Sequence, residues 1–310
     1  MKWLLMLVVL AVVLAAQGGV AKDKVPDCDQ GTKVVKQKDG GLDLEDKEKQ
    51  VCMVTLPQLH PTQFAVGMSA VQCKKQKLES KDQKKKLEKD LAEEDNWVPM
   101  VRGPGGLFYL TDHHHLSVAL YNAHLQHTRK ELYAYLVADF SDSKSYQEFW
   151  ERMVQHHYAW LEDHTGTPKP AIELPTQVQY MTDDPMRTLS AWVRESCGYV
   201  KCGETDCTGA YKEVTCAPSS TYFLEFKWAD YLRNLDGVKT AMGAHAACND
   251  QEDLEKGTCV SGQHDRLGKA LAVAMPAVAR PEAKAALGEG GGYNAKAHNS
   301  TPQSIDCHKD

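Results

Sequence analysis

The chain has 310 residues, of which 42% are hydrophobic and 25% are charged, and its formal net charge at pH 7 is −6. This composition is typical of a globular protein of one or two domains, and it excludes disordered and fibrous proteins. Proteins that hold DNA through many phosphates usually carry a net positive charge. The net negative charge of this chain is not typical of that class. A local basic cleft remains compatible with it.

The N-terminus has the pattern of a secretory signal peptide. Lys2 precedes an apolar run over residues 3–16, and Gly19 and Ala21 suit the −3 and −1 positions of a cleavage site. The apolar run is too short to span a bilayer well, which disfavours the alternative of a membrane anchor. We therefore predict that residues 1–21 are removed and that the mature protein is secreted and extracellular.

All ten cysteines follow the predicted cleavage point. An even number of cysteines in an exported chain predicts up to five disulfide bonds, whose pairing cannot be derived from the sequence. The four cysteines between Cys197 and Cys216 are alternatively zinc ligands, but their spacing fits the usual C-x2-C pairs poorly. A sequon at Asn299 predicts a glycoprotein and lies in a polar tail over residues 291–310.

The first predicted elements surround a strongly charged segment. Residues 22–50, rich in Lys, Asp and Gly, are expected to form a flexible leader pinned by a cysteine. Val51–Leu56 is predicted to be a strand, and a helix is predicted to begin at Phe64. Residues 74–95 are dense in Lys, Glu and Asp, which indicates a solvated amphipathic helix. The alternative, a nucleic-acid patch, is weakened by the acidic residues among the lysines.

The remaining elements alternate between strands and helices. The predicted strands are Trp97–Val101, Leu107–Leu110 and Leu132–Asp139, and the predicted helices begin after His115 or cover Ser145–His157, Thr188–Ser196, Phe226–Leu235 and Arg266–Val278. A Gly-Pro-Gly-Gly turn over residues 103–106 predicts that the first two of these strands form a hairpin. Short strands interspersed with helices predict an α+β fold.

The sharpest feature is the segment Tyr109–Leu116, in which three histidines lie between a predicted strand and a predicted helix. The first turn of a helix offers unpaired backbone N–H groups and the positive end of the dipole, so it suits a phosphate or a carboxylate. The dipole disfavours imidazolium, so His113, His114 and His115 are expected to be neutral bases when the site is empty. The alternative is a structural role for buried, hydrogen-bonded rings.

Four sequence boxes resemble, in the same order, those of the ParB-like nuclease family, a branch of the ParB/sulfiredoxin fold. The boxes are Leu59–Gln63 with Val66–Gly67, Val98–Val101 with Gly103–Pro104 and Tyr109–Leu116, Asp183–Arg187 with Val193–Glu195 and Gly198–Tyr199, and Glu225–Asp230 with Leu232–Arg233; a closing helix follows at Lys269–Leu287. The resemblance implies a small mixed sheet surrounded by helices in one domain over residues 51–290. Cys-rich insertions near 200–222 and 240–262 are expected to staple that domain with disulfides.

The resemblance also implies roles for the three histidines. The strand–turn–helix element is similar to the phosphate-binding loop of ParB proteins and sulfiredoxin, where His114 takes the place of a histidine. His115 takes the place of an arginine that grips phosphate, and because histidine titrates whereas arginine does not, anion binding is expected to depend on pH. His113 lies where sulfiredoxin has its reactive cysteine, which argues against redox repair of the sulfiredoxin type.

Carboxylates in the boxes have two readings. Asp184 before Pro185 suits a helix N-cap followed by proline at the first helical position. Asp184 and Asp112 are alternatively oxygen ligands for Mg²⁺ or Ca²⁺. Arg187 and Arg194 are candidate phosphate clamps, or else ion-pair partners of nearby glutamates.

We hypothesise from the sequence that the protein is a secreted hydrolase acting on phosphodiesters or nucleotides. The expected catalytic residues are His113, His114, His115 and Glu195, the expected anion-binding residues are Gln63, Thr111, Arg187 and Arg194, and the expected metal ligands are Asp112 and Asp184. The expected partner is a phosphate-bearing small molecule or a nucleic acid. The alternatives are a non-catalytic secreted anion-binding or matrix protein, and recruitment of the same pocket to small-molecule chemistry, including oxidation.

Overall fold

The computed structural model describes residues 25–38, 41–200, 223–243, 258–278 and 292–293. The predicted signal peptide, nearly all of the C-terminal tail with Asn299 and most of the two Cys-rich insertions lie outside the described residues. The predictions made for those segments therefore stay predictions.

The described residues form short strands and nine α-helices. In chain order the strands are β1 (Gln37–Lys38), β2 (Gly41–Leu42), β3 (Cys52–Thr55), β4 (Leu59–Pro61), β5 (Ala65–Val66), β6 (Val98–Arg102), β7 (Phe108–Leu110), β8 (Glu131–Asp139), β9 (Thr182–Asp183), β10 (Tyr199–Val200) and β11 (Gly292–Tyr293). The helices are α1 (Leu44–Gln50), α2 (Met68–Gln83), α3 (Leu87–Leu91), α4 (His114–Asn122), α5 (Tyr146–Gln155), α6 (Pro185–Glu195), α7 (Leu224–Arg233), α8 (Asp236–Met242) and α9 (Thr258–Val278). This mixture confirms the predicted α+β class.

A five-stranded mixed sheet in the order β3–β8–β6–β7–β4 forms the centre of the fold. β8 is antiparallel to β3 and parallel to β6, whereas β7 is antiparallel to β6 and parallel to β4. The antiparallel pairing of β6 with β7 confirms the predicted hairpin. Because β7 and β4 are parallel, the chain leaves both strands at the same edge of the sheet.

The two faces of the sheet are covered by different layers. Successive side chains of a strand point to opposite faces, and Leu132 and Leu136 of β8 pack in one apolar cluster with residues of α2 and α4. Tyr133 and Tyr135 join a second cluster with Trp97 and residues before β3. The central strand is therefore buried on both sides.

A second apolar core joins the helices of the C-terminal half. Leu189 of α6, Trp228 of α7 and Leu271 of α9 are fully or almost fully buried in it. Within the part of the chain that the structure describes, no helix combines the length and the hydrophobicity needed to cross a bilayer.

The segment before β3 differs from the expectation of a flexible leader. Cys28 forms a disulfide bond with Cys52, and the backbone N–H of Cys28 donates to the carbonyl of Met53 on the edge strand β3. Helix α1 then follows, with Asp43 as its N-cap. The covalent bond and the backbone pairing order this segment, and neither can be derived from its polar composition.

The predicted helix beginning at Phe64 also needs correction. The chain first forms the short strand β5, which pairs with β9 in parallel, and helix α2 begins only after Gly67. The single charged helix expected over residues 74–95 is two helices, α2 and α3. They are separated by a turn in which Lys85 has a φ of 54°, a left-handed conformation that ends a helix.

Candidate functional site

A polar cavity of about 180 Å³ lies where the loop after β4, the first turn of α4 and helices α6 and α7 meet. It is lined by Gln63, Thr111, Asp112, His114, His115, His157, Arg187, Phe223, Glu225 and Phe226. Gln63 and Thr111 meet here because they follow the parallel strands β4 and β7, which end at one edge of the sheet. Six of the ten residues predicted from the sequence to form the site therefore line one cavity.

The first turn of α4 is open toward a ligand. The N-cap residue, His113, has a left-handed backbone with a φ of 63° and makes no side-chain hydrogen bond to the turn. Asp112 instead accepts a hydrogen bond of 2.6 Å from the backbone N–H of His113 itself. The N–H groups of the first turn are thus left without a capping side chain, in the arrangement that favours anions at helix N-termini.

His114 is buried and tied to the neighbouring loop. Its Nε2 accepts a hydrogen bond of 3.3 Å from the backbone N–H of Thr62, and the ring also hydrogen-bonds the carbonyl of Leu110. Since a backbone N–H can only donate, Nε2 carries no proton, and the donor to Leu110 is Nδ1–H. Burial lowers the pKa of His114 to about 3, with smaller lowering contributions from His113 and Arg187.

His115 repeats this arrangement one residue later. Its Nε2 accepts a hydrogen bond of 3.1 Å from the backbone N–H of Gly67. Burial holds the pKa of His115 well below its usual value, and the positive charges of Arg187 and Lys74 lower it further. Both rings are therefore neutral, as expected, but in each the nitrogen that would accept a proton already holds a backbone N–H.

His113 does not line the cavity. Burial lowers its pKa, and the charges of Lys74 and Lys47 add to this effect while Asp112 opposes it. The two lysines belong to α1 and α2. His114 and His115 thus line the cavity together, whereas His113, the residue before them, does not.

Two arginines and one glutamate form a charge cluster at the cavity. Glu225 of α7 is 6% exposed, and it is hydrogen-bonded to Arg194 and lies 3.7 Å from Arg187. Arg187 lines the cavity, whereas Arg194 does not. Because Arg194 neutralises Glu225 directly, the charge of Arg187 is the more available of the two for a bound anion.

The two consecutive aspartates before α6 stabilise the fold. Asp184 is the N-cap of α6 and accepts a hydrogen bond from the backbone N–H of Met186, as predicted. Its other oxygen accepts from Arg233, so both oxygens are engaged. Asp183 is buried and accepts from the backbone N–H of Met68. Among the described residues there is no group of three histidines, cysteines or acidic residues that could hold a metal ion.

Glu195, the acidic residue expected to take part in catalysis, is exposed at the end of α6 and does not line the cavity. Glu225 is the glutamate that lines the cavity instead. Sequence reasoning also missed His157, Phe223 and Phe226 as cavity residues. Glu225 and Phe226 lie in a box that carries the resemblance, but nothing local to the sequence distinguishes their roles.

One comparison with known proteins covers the region that contains this cavity. The model of a protein family described as "Putative ParB-like nuclease" matches residues 52–234, more than half of the chain. The crystal structure of protein Atu1540 from Agrobacterium tumefaciens is similar, with 27% sequence identity and a TM-score of 0.51 over 77% of this chain and 97% of that chain. No curated protein matches the chain significantly.

Proposed function

Since this chain belongs to the ParB-like nuclease family, as its sequence boxes indicate, we propose that it hydrolyses a phosphodiester or a nucleotide whose phosphate binds at the N-terminus of α4. The observation that carries the proposal is the uncapped first turn of α4, which opens into a polar cavity beside Arg187. Thr111 and Gln63 line the same cavity and supply further polar groups.

Arg187 supplies the permanent charge that His115 lacks. The resemblance places His115 where related phosphate-binding loops have an arginine, and the ring of His115 is neutral and occupied by the N–H of Gly67. Arg187 reaches the same cavity from α6 and is joined to Glu225 only by a pair of 3.7 Å. Its guanidinium is always charged and its planar fork matches a phosphate, so we expect it to be the main side-chain contact of the anion.

The size of the cavity restricts the part of the substrate that it receives. A volume of about 180 Å³ is below the roughly 300–1,000 Å³ of pockets that enclose drug-sized ligands. The cavity therefore accommodates one phosphate with a short part of the attached molecule. The rest of a larger substrate would lie on the surface outside.

Asp112 is the residue that we propose to hold a divalent metal, Mg²⁺ or Ca²⁺, with the phosphate. Its exposed carboxylate lines the cavity next to the first turn of α4. Mg²⁺ is commonly held by one or two carboxylates together with substrate phosphates and water, so a single carboxylate at this place fits such an ion. Asp184, whose oxygens cap α6 and pair with Arg233, does not fit this role.

The test is an activity measurement with purified protein on single-stranded DNA, RNA and nucleotides, with and without Mg²⁺. Arg187→Gln is expected to lower kcat/KM by about 100-fold or more, the effect of removing a charged group that stabilises a transition state. Arg129→Gln, at a side chain that is 79% exposed and does not line the cavity, is the matched control. Absence of turnover on every substrate, or turnover unchanged in Arg187→Gln, would refute the proposal.

A second candidate function is anion binding without turnover. It is favoured by the engagement of both histidine Nε2 atoms by backbone N–H groups, which leaves these rings unable to take a proton from a substrate. Calorimetric titration with inorganic phosphate and nucleotides distinguishes the two functions when it is combined with the activity measurement.

We also propose that the protein is exported and glycosylated. The disulfide between Cys28 and Cys52 supports export, and so do the further disulfides that engage Cys73 and Cys197, because disulfides persist in oxidising compartments. Mass spectrometry of protein secreted by expressing cells tests the proposal. A mature N-terminus at Lys22 is expected, and retention of the full chain inside the cells would refute it.

A further inference from the structure

We infer that exposed lysines of α2 and α3 bind the phosphate backbone of a single-stranded nucleic acid and lead it to the cavity beside α4. The inference rests on the proposed function, because it names the substrate class that the cavity serves. The six lysines that form this lysine surface are Lys74, Lys77, Lys84, Lys85, Lys86 and Lys89, all of which are exposed.

The lysine surface follows one face of α2 and continues beyond its end. With 3.6 residues per turn, positions 74, 77 and 84 fall within an arc of about 80°, and Lys81, which lies in the same arc, is paired with Asp90. α2 ends at Gln83, and the left-handed backbone of Lys85 turns the chain so that Lys89 of α3 follows directly. The positive charges thus form one continuous strip.

Three of the four acidic residues between positions 74 and 91 are engaged in contacts within the fold. Asp82 is buried, and its carboxylate accepts hydrogen bonds from two backbone N–H groups in the segment after α4. Glu79 accepts from a third N–H of that segment, and Asp90 is bonded to a lysine of α2. Over residues 74–95, all of which the structure describes, three carboxylates are exposed, namely Glu88, Glu93 and Asp95, and all three lie in or after α3. The weakening expected from the sequence is therefore confined to the α3 end of the lysine surface.

The lysine surface begins close to the cavity. α2 starts directly after Gly67, whose backbone N–H is bonded to His115 in the cavity wall. Lys74 is about 10 Å further along the helix, and its charge adds to the effect of burial in lowering the pKa of both His113 and His115. From Lys74 to Lys84 the chain advances about 15 Å along the helix axis.

Aromatic side chains at the cavity favour a single strand over a duplex. Phe223 and Phe226 line the cavity, and Trp160 packs against both, with ring centroids 5.5 Å and 5.4 Å away. Phe223 and Trp160 are half-buried, so parts of their rings remain accessible. Proteins that bind single strands combine a basic track with aromatic rings on which unpaired bases stack. A paired base could not reach these rings, and a duplex could not enter a cavity of this size.

The test measures fluorescence anisotropy of a labelled 20-nucleotide single strand with the full-length protein and its variants at several salt concentrations. One variant, called the stripe variant, carries four substitutions in the lysine surface: Lys74→Gln, Lys77→Gln, Lys84→Gln and Lys85→Gln. The control variant carries the same change of charge at four exposed lysines elsewhere: Lys33→Gln, Lys38→Gln, Lys144→Gln and Lys239→Gln. Circular dichroism of both variants establishes that they are folded.

The stripe variant is expected to bind about tenfold more weakly at low salt, and the slope of log affinity against log salt is expected to fall by up to about 3, at roughly 0.7 for each lost phosphate contact. The control variant is expected to bind like the unsubstituted protein. Equal losses in the two variants, equal affinity for a 20-base-pair duplex, or stripe-dependent binding of phosphatidylserine vesicles in place of the strand would overturn the inference.

Activity distinguishes this inference from the proposed function. Stripe-dependent binding of the strand without turnover of any substrate supports the lysine surface and refutes the hydrolysis. Turnover of a mononucleotide together with strand binding that ignores the stripe substitutions refutes the lysine surface and leaves the hydrolysis intact.

Discussion

The burial of a neutral His114 is predicted to lower the free energy of unfolding in mild acid. The ring is 3% exposed, burial lowers its pKa to about 3 in the folded state, and an unfolded histidine has a pKa of about 6.5. The unfolded chain therefore takes up a proton at His114 as the pH falls below 6.5, whereas the folded chain does not. The free energy of unfolding is therefore unaffected by protonation of His114 above pH 6.5 and decreases progressively as the pH falls from 6.5 toward 3.

Between pH 7 and pH 5 the loss amounts to about 2 kcal/mol in the free energy of unfolding, at 1.36 kcal/mol for each pH unit below the unfolded pKa. This is a large part of the 5–15 kcal/mol that stabilises a typical domain. His114→Gln removes the titrating ring but retains an amide oxygen that can accept from the N–H of Thr62. The variant is expected to lose about 2 kcal/mol less than the unsubstituted protein over the same pH interval.

Urea unfolding followed by circular dichroism at pH 7 and pH 5 measures this difference. The comparison reports His114 together with its interactions with the adjacent His113 and His115. His124→Gln, at an exposed histidine, controls for the loss of an imidazole as such. If the unsubstituted protein and His114→Gln lost the same stability between the two pH values, the neutral, buried state assigned to His114 would be wrong.

Three further predictions concern stability. Gly67→Ala places a Cβ 2.3 Å from the Oγ1 of Thr188 and 2.9 Å from its backbone nitrogen, so thermal unfolding should show a destabilisation of about 1–3 kcal/mol, the usual cost of overpacking. Cys28→Ser opens a disulfide between residues 24 positions apart, which in urea unfolding should cost about 3.5 kcal/mol by the loop-entropy relation. Burial and the adjacent charge of Asp230 raise the pKa of Glu162 to about 7. The folded protein therefore loses stability as the pH rises from about 4.5 to 7. At pH 8, Glu162→Gln should unfold at a higher temperature than the unsubstituted protein.

A control or a contradicting outcome accompanies each of these three predictions. Gly268→Ala adds a Cβ with no atom within 4 Å and should stabilise α9 slightly, because alanine favours a helix more than glycine does. A reducing agent should bring the unsubstituted protein toward Cys28→Ser. Equal melting temperatures of Glu162→Gln and the unsubstituted protein at pH 8 would contradict the repulsion assigned to this carboxylate pair.

Local sequence patterns predicted the parts of the fold that local forces determine. The hairpin of β6 and β7 follows from its Gly-Pro turn, and the N-cap at Asp184 follows from an acidic residue before Pro185. The strand before the three histidines and the helix after them were also predicted, because their apolar spacing is regular over a few residues, although the helix begins at His114 and not after His115. These features require no knowledge of distant contacts.

Long-range contacts determined the rest. The histidine Nε2 atoms of α4 bond to backbone N–H groups about 50 residues earlier in the chain, and no local pattern specifies that pairing. Glu195 lies eight residues beyond Arg187, about 12 Å along α6, so it cannot reach the cavity from the end of the same helix. Glu225 reaches Arg187 instead because α6 packs against α7.

The disulfide of Cys28 has a consequence for the association of the protein with itself. The segment that it fixes pairs with β3 through backbone hydrogen bonds on both sides of Met53, and β3 is an outermost strand of the central sheet. Unpaired outermost strands are templates for pairing between chains. Reduction of this one bond would leave the covering segment attached only by its hydrogen bonds, and exposure of β3 for pairing between chains would then become easier.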